Sequence, residues 1–364
     1  MQLEARHGIM RRMVQIRSAA RRQALIGAVA GLLIWTAAGA AATPAQTTFA
    51  TQIAALSESE GYFDTDNLIS NENRYLSVVP TLTAAGLAGG AYVGVGPDQN
   101  FSYIAVTRPA LAVIIDIRRD NLLLHLLFKA LFAEARTRVD YLALLCGRPV
   151  PTDMASTPQA RWSDRPITDM VSYIDRTPPL DEAGVVRLRT RLKAAVTAFG
   201  VRLSTEDHAT IDRFHRRFIE AGLGLQFQST GRPPQSGYPT LRQLLLATDD
   251  RGRRANYLAS EDSFQFLKSL QARDLVIPIV GNLSGPTALK AVGRLLRSHD
   301  LTLATFYASN VEYYLLRDGS YARFVDNLSS LPRSGRSLII RSVFGGGGGS
   351  YSETQPVSEV VGGR

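Results

Sequence analysis

Two short apolar runs set close together leave this chain few folds to adopt. Gly90-Ala91-Tyr92-Val93 leads into a glycine turn, Gly94-Val95-Gly96-Pro97-Asp98-Gln99-Asn100. About twenty residues on, Leu111-Ala112-Val113-Ile114-Ile115 ends in Asp116. Runs this short and this free of polar alternation read as strands buried on both faces of a parallel sheet. Between them, residues 100–106 space their apolar groups helically, and Pro109 stops the helix.

The same alternation returns near the C-terminus. Residues 275–280 predict a buried strand, 281–286 a turn and 287–298 a helix. Residues 302–307 predict a further strand, 321–328 a helix and 337–343 a last strand. The stretch from about 149 to 260 interrupts the pattern. It begins with six prolines between Pro149 and Pro179 and continues into amphipathic helices over 181–199 and 205–221. The reading is an α/β fold: a doubly wound, mostly parallel, Rossmann-like sheet carrying a central helical insertion. It assigns 46–65 to a leader, 66–344 to a single domain and 345–364, opened by Gly345–Gly349, to a flexible tail.

In such a sheet, ligands sit at the carboxyl ends of the strands. The candidate ligand residues there are Gly94, Gly96, Asp98 and Asn100 in the turn, Asp116 at the next strand tip, Asn282 in the later turn, and Asn310 with Glu312 after residues 302–307. Glycine lets backbone approach a ligand, and a carboxylate at the second strand tip accepts ribose hydroxyl protons. The alternative is that the glycines only turn the chain and Asp116 only caps a helix. The dinucleotide fingerprint is not met, because Gln99 stands where its third glycine belongs. His208, Asp212 and His215 have zinc-compatible helical spacing, but Arg213, Arg216 and Arg217 crowd the same helix, and no metal is expected. Cys146, the sole cysteine, reads as a small buried hydrophobe.

The net charge of +9 does not imply nucleic-acid binding. Six arginines and one acid lie within residues 1–45, and the remainder carries 35 basic against 31 acidic groups. That basic block precedes a charge-free stretch, 24–42, which ends in small residues. The order predicts a secretory signal over 1–45, with cleavage near Ala40–Ala42 or Thr43–Ala45. The protein is then periplasmic or held in the cell envelope. An uncleaved segment would instead anchor it in the inner membrane, its one membrane contact.

With these residues in view, the chain resembles class I S-adenosylmethionine-dependent methyltransferases in fold. More narrowly, it resembles an uncharacterised bacterial family of that fold, often exported. The segments carrying the likeness are Tyr92–Phe101, Ile115–Asn121, Pro278–Gly281 and Ser309–Tyr314, and it spans about residues 65–343. The resemblance implies S-adenosylmethionine as the cofactor, with Asp116 on its ribose, and a small-molecule partner. The chain departs from the methyltransferase pattern at Tyr92, where the motif has an acid, and at Asp98, where it has a third glycine. No Asn/Asp-Pro-Pro-Tyr/Phe element follows a strand. Two functions are therefore expected to compete: an exported small-molecule-binding protein, and a small-molecule methyltransferase.

Overall fold

The computed structural model describes residues 48–152, 161–231, 237–345 and 349–363. The export segment expected over 1–45 lies outside these residues. Among the described residues, no helix is long and apolar enough to cross a membrane.

A six-stranded sheet organises the domain in the order β3-β2-β1-β4-β5-β6. The strands are β1 (Ala91–Val95), β2 (Leu111–Asp116), β3 (Val276–Val280), β4 (Leu303–Ser309), β5 (Arg333–Phe344) and β6 (Ser350–Pro356). The first five are parallel; β6 returns antiparallel along β5. Every residue of β1 and β3 is buried, which is why both were legible as apolar runs. The chain steps outward from β1 through β2 to β3, then crosses back to lay β4 on the other side of β1. This reversal opens a crevice at the carboxyl ends of β1 and β4.

Helices fill the connections. α1 (Phe49–Leu56) precedes the sheet and α2 (Val79–Ala85) leads into β1; α3 (Gln99–Thr107) joins β1 to β2. α4 (Arg119–Glu134) follows β2 and is buried without a break from Asn121 to Phe132. It is apolar nearly all round because sheet strands cover one side and helices of the insertion another. The insertion comprises α5 (Arg138–Leu145), α6 (Ile167–Arg176), α7 (Glu182–Ala198), α8 (Thr205–Ala221), α9 (Leu241–Leu246) and α10 (Glu261–Ala272). α11 (Ala288–Ser298) joins β3 to β4, and α12 (Val311–Arg317) and α13 (Tyr321–Ser329) join β4 to β5.

Two boundary expectations are corrected. The described part of the expected leader is built into the domain. Phe49, Ile53 and Leu56 of α1 are core residues. Glu58 caps the start of α11, accepting from the backbone of Asn282, Thr287 and Ala288 and from the Thr287 hydroxyl. Burial works against its charge, but these donors hold the Glu58 carboxyl below its usual value. The expected flexible tail is likewise structured. β6 and the following α14 (Val357–Gly362) complete the sheet edge, with Val357 fully buried. β6 escaped the hydropathy reading because its inward residues are Ser350 and Ser352, held by hydrogen bonds rather than by apolar area.

Candidate functional site

A cleft of about 350 Å3 lies across the carboxyl ends of the parallel strands, within the range typical of small-molecule sites. Val95, Gly96 and Pro97 at the end of β1 border it, as do Asp116 and Ile117 at the end of β2, Gly281 and Asn282 after β3, and Tyr307, Ser309 and Asn310 at the end of β4. The segment Tyr62–Asn67 forms one wall, with Phe227 and Tyr238 from the insertion and Tyr314 from α12. Phe63 meets Tyr314 edge to face at 5.0 Å.

Of the residues singled out in the sequence, Gly96, Asp116, Asn282 and Asn310 border this cleft. Gly96 has φ +82°, a backbone state that favours glycine. Its carbonyl accepts a hydrogen bond from His125 Nε2 at 2.9 Å. Burial holds the His125 pKa down at about 4, so the ring is neutral at pH 7 and Nε2 carries the shared proton.

Asp116 is not free. Its Oδ1 accepts from the Arg118 backbone N–H at 2.9 Å and from Nε at 3.1 Å, and Oδ2 accepts from Nη2 at 3.0 Å. Arg118 reaches on to the Thr65 carbonyl at 3.0 Å, tying the cleft wall to the β2 tip. Asn282 Oδ1 accepts from the backbone and hydroxyl of Ser284, shaping the turn after β3.

Four expected ligand residues turn inward instead. Gly94 is mid-strand, and a Cβ there would overlap Asn100 Oδ1 and lie 2.7 Å from the Tyr92 ring and hydroxyl. Asn100 is fully buried. Its Nδ2 donates to the carbonyls of Val95 and Pro97, at 2.9 and 2.7 Å, and its Oδ1 accepts from the Tyr92 hydroxyl at 2.8 Å. Tyr92, standing where the methyltransferase motif has an acid, is thus a strut for the turn. Asp98 is buried and accepts from the Tyr257 hydroxyl at 3.1 Å; burial pushes its carboxyl up to about 6. Glu312 clamps α12 to β5 through a two-pronged pair with Arg341, and accepts from the Tyr321 hydroxyl. Asn100 turns inward because a tight turn leaves backbone carbonyls that its side-chain amide reaches.

Of the helical His/Asp set, only His215 is buried, and His208 and Asp212 are partly exposed. His215 is buried against the Leu144 carbonyl, and Asp212 pairs with Arg189. Cys146 is fully buried, which raises its thiol to about 12.

The group that sequence reasoning missed is Glu72. It borders the cleft yet is only 1% exposed. Its Oε1 accepts from the hydroxyls of Tyr307 and Ser309, each at 2.6 Å, and its Oε2 from Gln99 Nε2 at 2.6 Å. Among the described residues no lysine or arginine pairs with it. Ser309 sits at φ +51°, an unfavourable backbone state for serine, which places its hydroxyl on Glu72. Glu72 stands in Ser70-Asn71-Glu72-Asn73, a polar stretch with no periodicity to mark it. Its partners lie 27 to 237 residues away.

Two comparisons with known proteins bear on this site. A family model, described as a domain of unknown function (DUF7790), matches residues 67–149 and 236–359. The two segments hold all six strands and most residues bordering the cleft, including Glu72, Asp116 and Ser309; the intervening helices α6–α8 fall outside the match. No curated protein matches the chain.

Proposed function

For a chain that belongs to the DUF7790 family, a family of unknown function, we propose a small-molecule-binding protein, exported to the cell envelope. It is built on a Rossmann-like, methyltransferase-like sheet. The observation that carries this reading is the cleft itself: four parallel strands end on one concave site at the point where strand order reverses. Its lining is suited to a neutral or cationic polar molecule. Among the described residues, Glu72, Asp116 and Asp318 line it with Arg118 and Arg317, among amides, hydroxyls and aromatic rings. Export rests on the charge-free segment 24–42 behind its arginines.

Methyl transfer is the second reading, favoured by the position of Asp116 one strand from the glycine turn. The donor set fits S-adenosylmethionine poorly. A ribose offers two hydroxyls, whereas Arg118 occupies both acceptor sites of Asp116 Oδ1 and one of Oδ2. No step of a methyl-transfer reaction is therefore derived.

A ligand-observed NMR screen of polar metabolites against the chain and a Val311→Trp variant tests the first reading. Val311 borders the cleft, so genuine ligands must be lost when an indole enters it. A screen giving no compound bound by the parent and lost in the variant defeats it. Calorimetry with S-adenosylmethionine and S-adenosylhomocysteine tests the second. Micromolar binding abolished by Asp116→Ala would reinstate methyl transfer; silence at millimolar ligand removes it.

A further inference from the structure

We propose that Glu72 anchors a cationic nitrogen, of the ammonium or amidinium class, on the molecule that occupies the cleft. The inference rests on the small-molecule reading and adds the ligand's chemistry. Buried carboxylates are ordinarily paired with a cation or a metal. Glu72 is buried at the cleft border with three neutral donors and, among the described residues, no cation. Those donors fill both acceptor sites of Oε1 and one of Oε2. One acceptor site remains, on Oε2, and a single charged N–H fills it.

Among the described residues, the cations of the same cleft lie elsewhere: Arg118 pairs with Asp116, and Arg317 sits over the Tyr314 ring with 5.5 Å to its centroid. Asp318 accepts from the backbone and hydroxyl of Ser320. The negative charge at Glu72 is thus left for the ligand to balance. The strained Ser309 supports the same conclusion. Its left-handed backbone is retained although it holds a hydroxyl on a carboxylate that lacks a counter-charge, the kind of arrangement kept at binding sites. The aromatic wall of Phe63, Phe227 and Tyr238 offers faces for an apolar body or for the cation itself.

A matched pair of fragments tests this on the full chain. Benzylammonium and benzyl alcohol share a ring and differ in the charged nitrogen, and ligand-observed NMR reads their millimolar affinities. The expected result is benzylammonium binding at least about tenfold tighter. Glu72→Gln should erase that preference and leave benzyl alcohol unchanged. Equal affinities in the parent, or a preference that survives Glu72→Gln, overturn the inference while leaving the cleft a ligand site. Absence of binding by both fragments overturns it too, and the Val311→Trp screen then decides the cleft separately. Should Glu72→Gln lose both fragments through collapse of the cleft, Ser309→Ala decides. It keeps the carboxylate, so the preference must persist there, and its loss overturns the inference.

Discussion

The turn after β1 and the cluster around Glu72 lie side by side and are built on opposite plans. In the turn, Asn100, Asp98 and the Gly96 carbonyl are each met by another group of the protein. Asn100 bridges two carbonyls and the Tyr92 hydroxyl, and His125 holds the Gly96 carbonyl. Around Glu72, hydroxyls and an amide converge on a carboxylate that no described cation meets. A glycine-rich turn announces itself in sequence because backbone geometry demands glycine, yet here that geometry serves packing. The polar capacity left for a ligand is assembled from residues with no local signature.

If the turn is scaffold, altering it should cost stability before it costs binding. Gly94→Ala is the severest case. Its Cβ would overlap Asn100 Oδ1 and press on Tyr92, in a strand buried throughout. Overpacking together with a broken buried network predicts a loss of about 4 kcal/mol, read as a drop in the urea midpoint at unchanged slope. A variant of parental stability would show that the turn yields easily and would remove the contrast.

How much of this was legible divides along the same line. The strands expected at the apolar runs 90–93 and 111–116, and at 275–280 and 302–307, form within two residues of those limits, because strands buried on both faces must be apolar throughout. The helices of the insertion were legible from their amphipathic faces, α7 and α8 to within a residue at most ends. β6 was hidden because it lines the sheet edge with serines, and α1 because eight residues carry little periodicity. Of the cleft border, Gly96, Asp116, Asn282 and Asn310 were legible by topology alone, since each lies at or just past a strand end. Glu72 precedes the first strand and enters the cleft only through tertiary packing, so no spacing rule reaches it. Asn100 and Asp98 were misread because sequence shows that a side chain is polar, not which way its hydrogen bonds are used.

Acid sharpens the comparison next. His125 braces the turn, and His215 lies in α8; burial depresses both from 6.5 to about 4. A base with a depressed folded pKa binds its proton more readily when unfolded. Stability is therefore intact above about pH 6.5 and falls as pH drops toward 4, by about 3 kcal/mol per histidine. Asp98 acts in the opposite sense. Its carboxyl is raised from 3.8 to about 6, so folding is favoured by protonation, and the same descent returns about 3 kcal/mol. The net expectation is a loss of about 3 kcal/mol between pH 7 and pH 4 from these three groups. His125→Gln, whose amide can still donate to Gly96, should remove about that much of the pH slope in urea titrations. An unchanged slope would mean that His125 is solvated or charged in the folded protein, and the turn would not be self-contained.

The smallest expected effect is the most discriminating. Were the Glu72 cluster scaffold like the turn, Glu72→Gln would destabilise as a broken buried network does, by about 2–3 kcal/mol. A ligand site predicts otherwise. The substitution removes a buried charge that no described residue balances, which offsets the hydrogen bonds it weakens. The glutamine carbonyl can still accept from Tyr307 and Ser309. Gln99 Oε1, buried without a partner, can turn to accept the new amide. Stability should then lie within about 1 kcal/mol of the parent, on either side. The urea midpoints of Glu72→Gln and Gly94→Ala, measured together, separate the two plans. If both fall by similar amounts, Glu72 is another strut and the distinction between turn and cluster is lost. If only Gly94→Ala falls, the carboxylate is held in the cleft at a cost that folding does not require, and a ligand is the reason for it.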